Sequence, residues 1–160
     1  MRRLCVDTCF LIGLCTERDQ YYESATTQYE KLFERDRNRM VMPWPILYET
    51  LRTAKVKDRQ GMRKLELCWK QLARWGLLDL VSDCKYREHV IQDCFDELQK
   101  DARRQRNLSA TDRVIRNVLA DRELHIDAMI TSNRADFEDV CKLFNRELVP
   151  LLARQRLSSA

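Results

Sequence analysis

Apolar residues in this chain fall into short continuous runs separated by longer stretches with helical spacing, and that alternation sets the expected architecture. Leu4-Cys5-Val6 reads as a short buried strand, after which Phe10, Leu11, Ile12 and Leu14 resume at intervals that suit a helical turn. Tyr22, Ala25, Tyr29, Leu32 and Phe33 predict an amphipathic helix over 19–35. Met40-Val41-Met42-Pro43 is a second strand stopped by proline. Pro45 then stands in the first turn of a new helix, where its missing N–H costs nothing, with Ile46, Leu47, Thr50, Leu51 and Ala54 as the buried stripe. The pattern breaks over 58–61. Met62, Leu65, Leu67, Cys68, Trp69, Leu72, Ala73 and Trp75 then describe another helix, capped by Gly76.

Leu77–Val81 is a third strand, and 86–102 a long amphipathic helix carrying Val90, Ile91, Cys94, Phe95, Leu98 and Ala102. Its basic end, 103–107, reads as an exposed loop. Leu108-Ser109-Ala110-Thr111-Asp112 opens the next helix through a serine followed three residues later by an acid, with Val114, Ile115, Val118, Leu119 and Leu124 behind it. Ile126–Thr131 is a buried strand that leads through a polar turn, 132–136, into a short helical segment over 137–144, and Leu148–Leu151 is an edge strand. There is no internal repeat and no linker rich in Gly, Pro or Ser. Strands alternating with helices predict an α/β fold, a central, mostly parallel sheet flanked by helices. The 160 residues suit one domain over 1–153, with a mobile tail over 154–160 that lacks apolar anchors.

Composition changes this picture little. No run of about 18 apolar residues occurs and the opening residues lack the pattern of a leader, so the expectation is a soluble, cytoplasmic protein with no membrane segment. The seven cysteines are odd in number and contain no CxxC pair, which excludes a zinc ribbon or a disulfide framework and leaves free thiols. Cys5 and Cys9 are close in sequence, but His89 and His125 are too remote to complete a metal site with them. The formal charge of +4 is modest, yet basic residues gather at 35–39, 55–64 and 103–106. Each cluster fits either a solvated face or a phosphate backbone.

The candidate chemistry lies in the acids. Asp7 follows the first strand, Glu49 stands just inside the helix after the second, Asp112 occupies the first turn of a late helix, and Asp136 follows the strand ending in Thr131. In a parallel sheet such positions share one edge, where ligands bind. Converging carboxylates repel unless a cation neutralises them, and a hard divalent ion with oxygen ligands is the natural occupant. Each acid also has a local explanation: Asp7 or Thr8 capping a turn, Asp112 pairing with Arg116, Glu49 with Arg52, Asp127 or Asp136 acting as a cap.

These segments resemble the PIN-domain nucleases, and among them the VapC-like toxins of toxin–antitoxin pairs. The resemblance rests on Val6-Asp7-Thr8-Cys9-Phe10-Leu11-Ile12, on Pro45-Ile46-Leu47-Tyr48-Glu49-Thr50-Leu51, on Ser109-Ala110-Thr111-Asp112, and on Ile130-Thr131-Ser132-Asn133-Arg134-Ala135-Asp136-Phe137. It implies a single PIN-like domain with Mg²⁺- or Mn²⁺-dependent ribonuclease activity, Asp7, Glu49 and Asp112 being the core catalytic and metal-binding acids. The family's fourth polar position, often Asp, is Asn133 here, with Asp136 three residues on; both join the expected metal set. Asn supplies a carbonyl oxygen but no charge. Thr8, Thr131, Ser132 and Arg134 are expected to contact metal waters or substrate, and Arg103, Arg104 and Arg106 the RNA backbone. The resemblance further implies an RNA substrate, a small antitoxin partner and a homodimer. A stand-alone PIN nuclease in RNA processing and a non-catalytic nucleic-acid-binding PIN module are the alternatives.

Overall fold

The computed structural model describes residues 1–52, 59–99 and 108–154. Five strands, β1 (Arg3–Val6), β2 (Arg39–Pro43), β3 (Leu78–Val81), β4 (Ala128–Thr131) and β5 (Glu147–Pro150), form one sheet in the order β3-β2-β1-β4-β5. Every pairing is parallel, so the expected mostly parallel sheet is parallel throughout. β1 is central, with Leu4 opposite Met40 of β2 on one side and Ala128 of β4 on the other. Leu4, Cys5 and Val6 are fully buried, because helices cover both faces of a parallel sheet.

The chain runs outward from β1 through β2 to β3, then returns to the far side of β1 with β4 and β5. All five carboxyl ends therefore lie along one edge, and strand order reverses between β1 and β4. Such a reversal leaves a crevice outside the strand ends.

Among the described residues seven α-helices connect and cover the strands: α1 (Thr8–Cys15), α2 (Tyr22–Tyr29), α3 (Trp44–Arg52), α4 (Arg59–Arg74), α5 (Arg87–Leu98), α6 (Ala110–Ala120) and α7 (Arg134–Leu143). Gly13 lets α1 approach the start of α2 closely; a Cβ there would lie 3.1 Å from Ala25 Cβ and 3.3 Å from Tyr21 Cβ. Fully buried Phe10 meets Phe33 with ring centroids 6.0 Å apart. Phe33 belongs to a π-helical segment, Glu30–Arg35, so the helix expected over 19–35 is two pieces and begins at Tyr22. The wider turn places Leu32 and Phe33 together in the core, while Asp19 caps the preceding turn by accepting the Tyr21 N–H at 3.0 Å.

Several expectations shift. Leu51, Leu67, Ile91 and Phe95 are exposed rather than core residues, whereas Val90 and the preceding Tyr86 are buried. Apolar spacing marks a stripe on a helix, but α5 packs chiefly on α6, and one neighbour covers only part of that stripe. α6 stops at Ala120 rather than reaching Leu124, because Asp121 accepts the Glu123 N–H and starts a separate 3₁₀ turn over Arg122–Leu124. α7 begins at Arg134, three residues before the expected segment. Gly76 adopts a left-handed φ of 66° after α4, as a capping glycine should. Arg154, placed in the expected mobile tail, is tied down: its N–H donates to Gln20 O at 2.7 Å and its guanidinium pairs with Glu23 at 2.9 Å. Ala54, Arg103, Arg104, Arg106 and 155–160 lie outside the described residues. All seven cysteines are free, with Cys5, Cys15 and Cys141 buried and Cys84 exposed. Among the described residues no helix is long and apolar enough to cross a membrane.

Candidate active site

The strand-order reversal is occupied by Asp7. Its backbone is extended and its N–H donates across to Ile130 O of β4 at 3.2 Å. The carboxylate caps α1, Oδ1 accepting the Thr8 N–H at 2.6 Å. Oδ2 accepts the Thr131 hydroxyl at 2.7 Å and the Cys9 thiol at 3.2 Å. The cap and the centre of the polar network are thus the same group. Burial pushes the Asp7 carboxyl above the ordinary carboxylate range; the bonds from Thr131, Cys9 and Thr8 oppose this, and the nearby charge of Asp112 adds to it.

Glu49 reaches the same place from α3. Thr8, the first residue of α1, donates its hydroxyl to Glu49 Oε2 at 2.9 Å and so bridges the acid after β1 to the acid after β2. Asp112 is held by a capping box at the start of α6. Ser109 Oγ accepts the Asp112 N–H at 3.0 Å, while the Ser109 hydroxyl and N–H both donate to Asp112 Oδ2, at 2.6 and 3.0 Å. This holds one oxygen; Oδ1 makes no hydrogen bond among the described residues. Ser109→Ala removes the box and is expected to lower stability by about 1 kcal/mol in urea unfolding.

Thr131 is the second hub, since its Oγ1 also accepts the Asn133 N–H at 2.9 Å. Thr131→Val is nearly isosteric and removes one donor from Asp7. Its expected effects are a further rise of the Asp7 pKa, read by carboxyl NMR titration, and a stability loss of about 1–3 kcal/mol. Asn133 donates its side-chain amide to Asp136 Oδ2, so these two candidates meet each other, and Thr131 links Asn133 to Asp7. The Ser132 N–H donates to Cys9 Sγ at 3.2 Å. Arg134 is exposed and turned onto Glu138 at 2.6 Å.

One local pairing did not form as read from spacing. Arg116 pairs with Asp139 at 2.6 Å and donates to the Asp136 carbonyl, not to Asp112, because α7 packs against α6 and offers it a bidentate partner. Asp127 does act locally, accepting the Arg3 N–H at 2.7 Å. Cys9 is the site residue that sequence reasoning did not assign. Its thiol is pushed up to about 12, first by burial and then by the charge of Asp7, so it stays protonated and serves as a donor. Cys5 faces the core instead, its thiol against Val6 O at 3.9 Å, so the two thiols do not form a pair. Position two beyond Asp7, in the first turn of α1, was the available signal.

Among the described residues, no three His, Cys, Asp or Glu side chains gather closely enough to hold an ion between them. The set is nonetheless chemically suited to one: hard carboxylate oxygens on one sheet edge, a half-buried acid at its centre and no required nitrogen or sulfur ligand. An open set of this kind suits an ion that keeps part of its water shell, as Mg²⁺ does.

No family model and no curated protein matches the sequence. Solved structures do match. The chain is similar to Mycobacterium tuberculosis VapC20, described as a sarcin-ricin loop cleaving toxin, with a TM-score of 0.54 and 16% identity over 79% of this chain and 86% of that one. It is also similar to a domain of a functionally unknown protein from Methanocaldococcus jannaschii, with a TM-score of 0.52 and 15% identity over 100% of this chain and 98% of that one. The strand order, the parallel sheet and this likeness together make the fold a PIN-like α/β domain, the fold of the VapC20 toxin.

Proposed function

We propose that this chain is a divalent-metal-dependent endoribonuclease that hydrolyses RNA phosphodiester bonds, with Asp7, Glu49 and Asp112 as the acids that would hold Mg²⁺ or Mn²⁺. The observation that carries the reading is the Thr8 bridge, which joins half-buried Asp7 to Glu49 beside the charge of Asp112 at the strand-order reversal. Likeness of fold to a toxin that cleaves the sarcin-ricin loop supports the choice of RNA.

Asp7, Glu49 and Asp112 would hold the cation, which when bound would supply a lowered pKa for a water and stabilisation of charge on the leaving oxygen. The chain's own residues prepare the place. Thr131, Cys9 and the Thr8 N–H together fill three of the roughly four acceptor sites of the Asp7 carboxylate and fix its plane, leaving capacity for one further ligand. The Thr8 hydroxyl orients Glu49 in the same way, and the capping box orients Asp112. Asn133 has its amide nitrogen committed to Asp136, so it would contribute its carbonyl oxygen. In this reading Ser132 and Arg134 contact substrate phosphate, Arg134 after release from its exposed partner Glu138.

In this reading the protein acts as the toxin of a pair, restrained by a small antitoxin and working as a homodimer. Arg103, Arg104 and Arg106 contact the RNA backbone in this reading, and their triple alanine variant should bind RNA with a flatter salt dependence. The reading is tested by incubating purified protein with structured and single-stranded RNAs in Mg²⁺, Mn²⁺ or EDTA. Cutting that EDTA abolishes, and growth arrest on expression without a partner, are the expected results. No cutting in any metal, with no metal bound by calorimetry, would remove the assignment.

A further inference from the structure

Next to Glu49, α3 carries an aromatic pair that the acidic site does not use. Trp44 and Tyr48 stack with ring centroids 5.7 Å apart and an interplanar angle of 29°. Trp44 is the first residue of the helix and half-buried, held where β2 delivers the chain at the edge that bears the acids. Tyr48 is 62% exposed and precedes Glu49 directly. Residues 44, 48 and 52 share one helical face at intervals of four, so exposed Arg52 follows the two rings along α3.

Core packing does not account for this pair. Ile46 and Thr50 are the buried residues of α3 and lie on the opposite side. A Tyr ring has few torsions to lose, and one already stacked on a half-buried Trp is ordered before any ligand arrives. A rigid, exposed π surface with a cation beside it is the composition that holds unpaired nucleobases and their phosphates. A paired base offers no free face to it.

We propose that Trp44 and Tyr48 form a stacking platform for an unpaired nucleobase of RNA, with Arg52 meeting an adjoining phosphate, so that the acidic site receives single-stranded rather than duplex substrate. This inference rests on the ribonuclease reading of the same edge. Stacking on an aromatic side chain is worth enough for alanine substitution to weaken binding by about tenfold.

The experiment is fluorescence anisotropy in EDTA, which prevents cutting, with a labelled short single-stranded RNA of mixed sequence and the duplex formed from it. The proteins are wild type, Tyr48→Ala and Tyr48→Phe, and sedimentation of each reports its mass. The platform predicts about tenfold weaker single-strand binding by Tyr48→Ala, near wild-type binding by Tyr48→Phe, duplex binding weak in all three and unchanged by substitution, and no change of mass. Wild-type binding of the single strand with undiminished binding by Tyr48→Ala would overturn the platform and leave the ribonuclease reading standing. Equal losses for Tyr48→Ala and Tyr48→Phe would overturn it as well, since a phenyl ring stacks as a phenol does. A drop in mass for Tyr48→Ala would instead assign the face to contact between copies of the chain. Failure of the wild type to bind either RNA would overturn both readings.

Discussion

Asp7→Asn is expected to abolish RNA cleavage while making the metal-free protein more stable. The two effects share one cause. Asp7 is a carboxylate that burial and the charge of Asp112 push toward its protonated form, and a negative charge held against that tendency is useful only when a cation or a reaction draws on it. Asparagine keeps the shape and can accept the Thr8 N–H, and the Thr131 hydroxyl can rotate to meet its amide. The fold should therefore survive. Cleavage should fall by at least about a hundredfold, the scale seen when one organising electrostatic group is removed from an active site. The pH dependence follows from the sign of the shift. A carboxyl whose folded pKa lies above its unfolded value of 3.8 stabilises the fold fully below that value. That contribution is lost as pH rises through the raised folded pKa. In EDTA, the melting temperatures of wild type and variant should therefore differ least in acid and diverge toward neutral pH, the variant melting higher. Added Mg²⁺ should raise the wild-type value alone, by an amount equivalent to about 2.7 kcal/mol at a hundredfold excess over Kd. Undiminished cutting by Asp7→Asn would show that the chemistry lies elsewhere.

Phe10→Ala is the substitution expected to cost most stability, about 3–5 kcal/mol. The Phe10 side chain is fully buried at the crossing of α1 and α2, against Phe33 on the π-helical segment. Small domains are stable by only about 5–15 kcal/mol in total, so the variant should unfold at much lower urea concentration with a similar slope. Its consequence reaches the acids, because Phe10 anchors the first turn of α1, which carries the Thr8 bridge to Glu49. Cleavage measured well below the variant's melting temperature should drop even though every acid remains. A midpoint within experimental error of wild type would mean that α1 is held by something other than this ring pair.

The role of each candidate depended on contacts of different reach. The Ser109–Asp112 box could be read directly, since both partners lie within one helical turn. The Asp112–Arg116 pair was equally well spaced, yet Arg116 turned to Asp139, because a bidentate carboxylate on a neighbouring helix outcompetes a single partner on its own. Arg134 went the other way, onto Glu138 one turn along its own exposed helix. Cys9 was read as a thiol remote from metal chemistry, and the fold made it a donor to Asp7.

By itself, the sequence determined the elements, their order and the strand ends on which acids stand, because apolar spacing, proline stops and caps act within a few residues of one another. It also placed Asp7 at the end of the strand that proved central. Only the tertiary structure decided that β1 lies between β2 and β4, that Thr8 spans from Asp7 to Glu49, that Thr131 rather than Asn133 holds Asp7, and that Ile91, Phe95 and Tyr48 face solvent. These depend on sheet order and on which neighbour covers each helix, and both are set by packing between residues far apart along the chain, which no local period encodes.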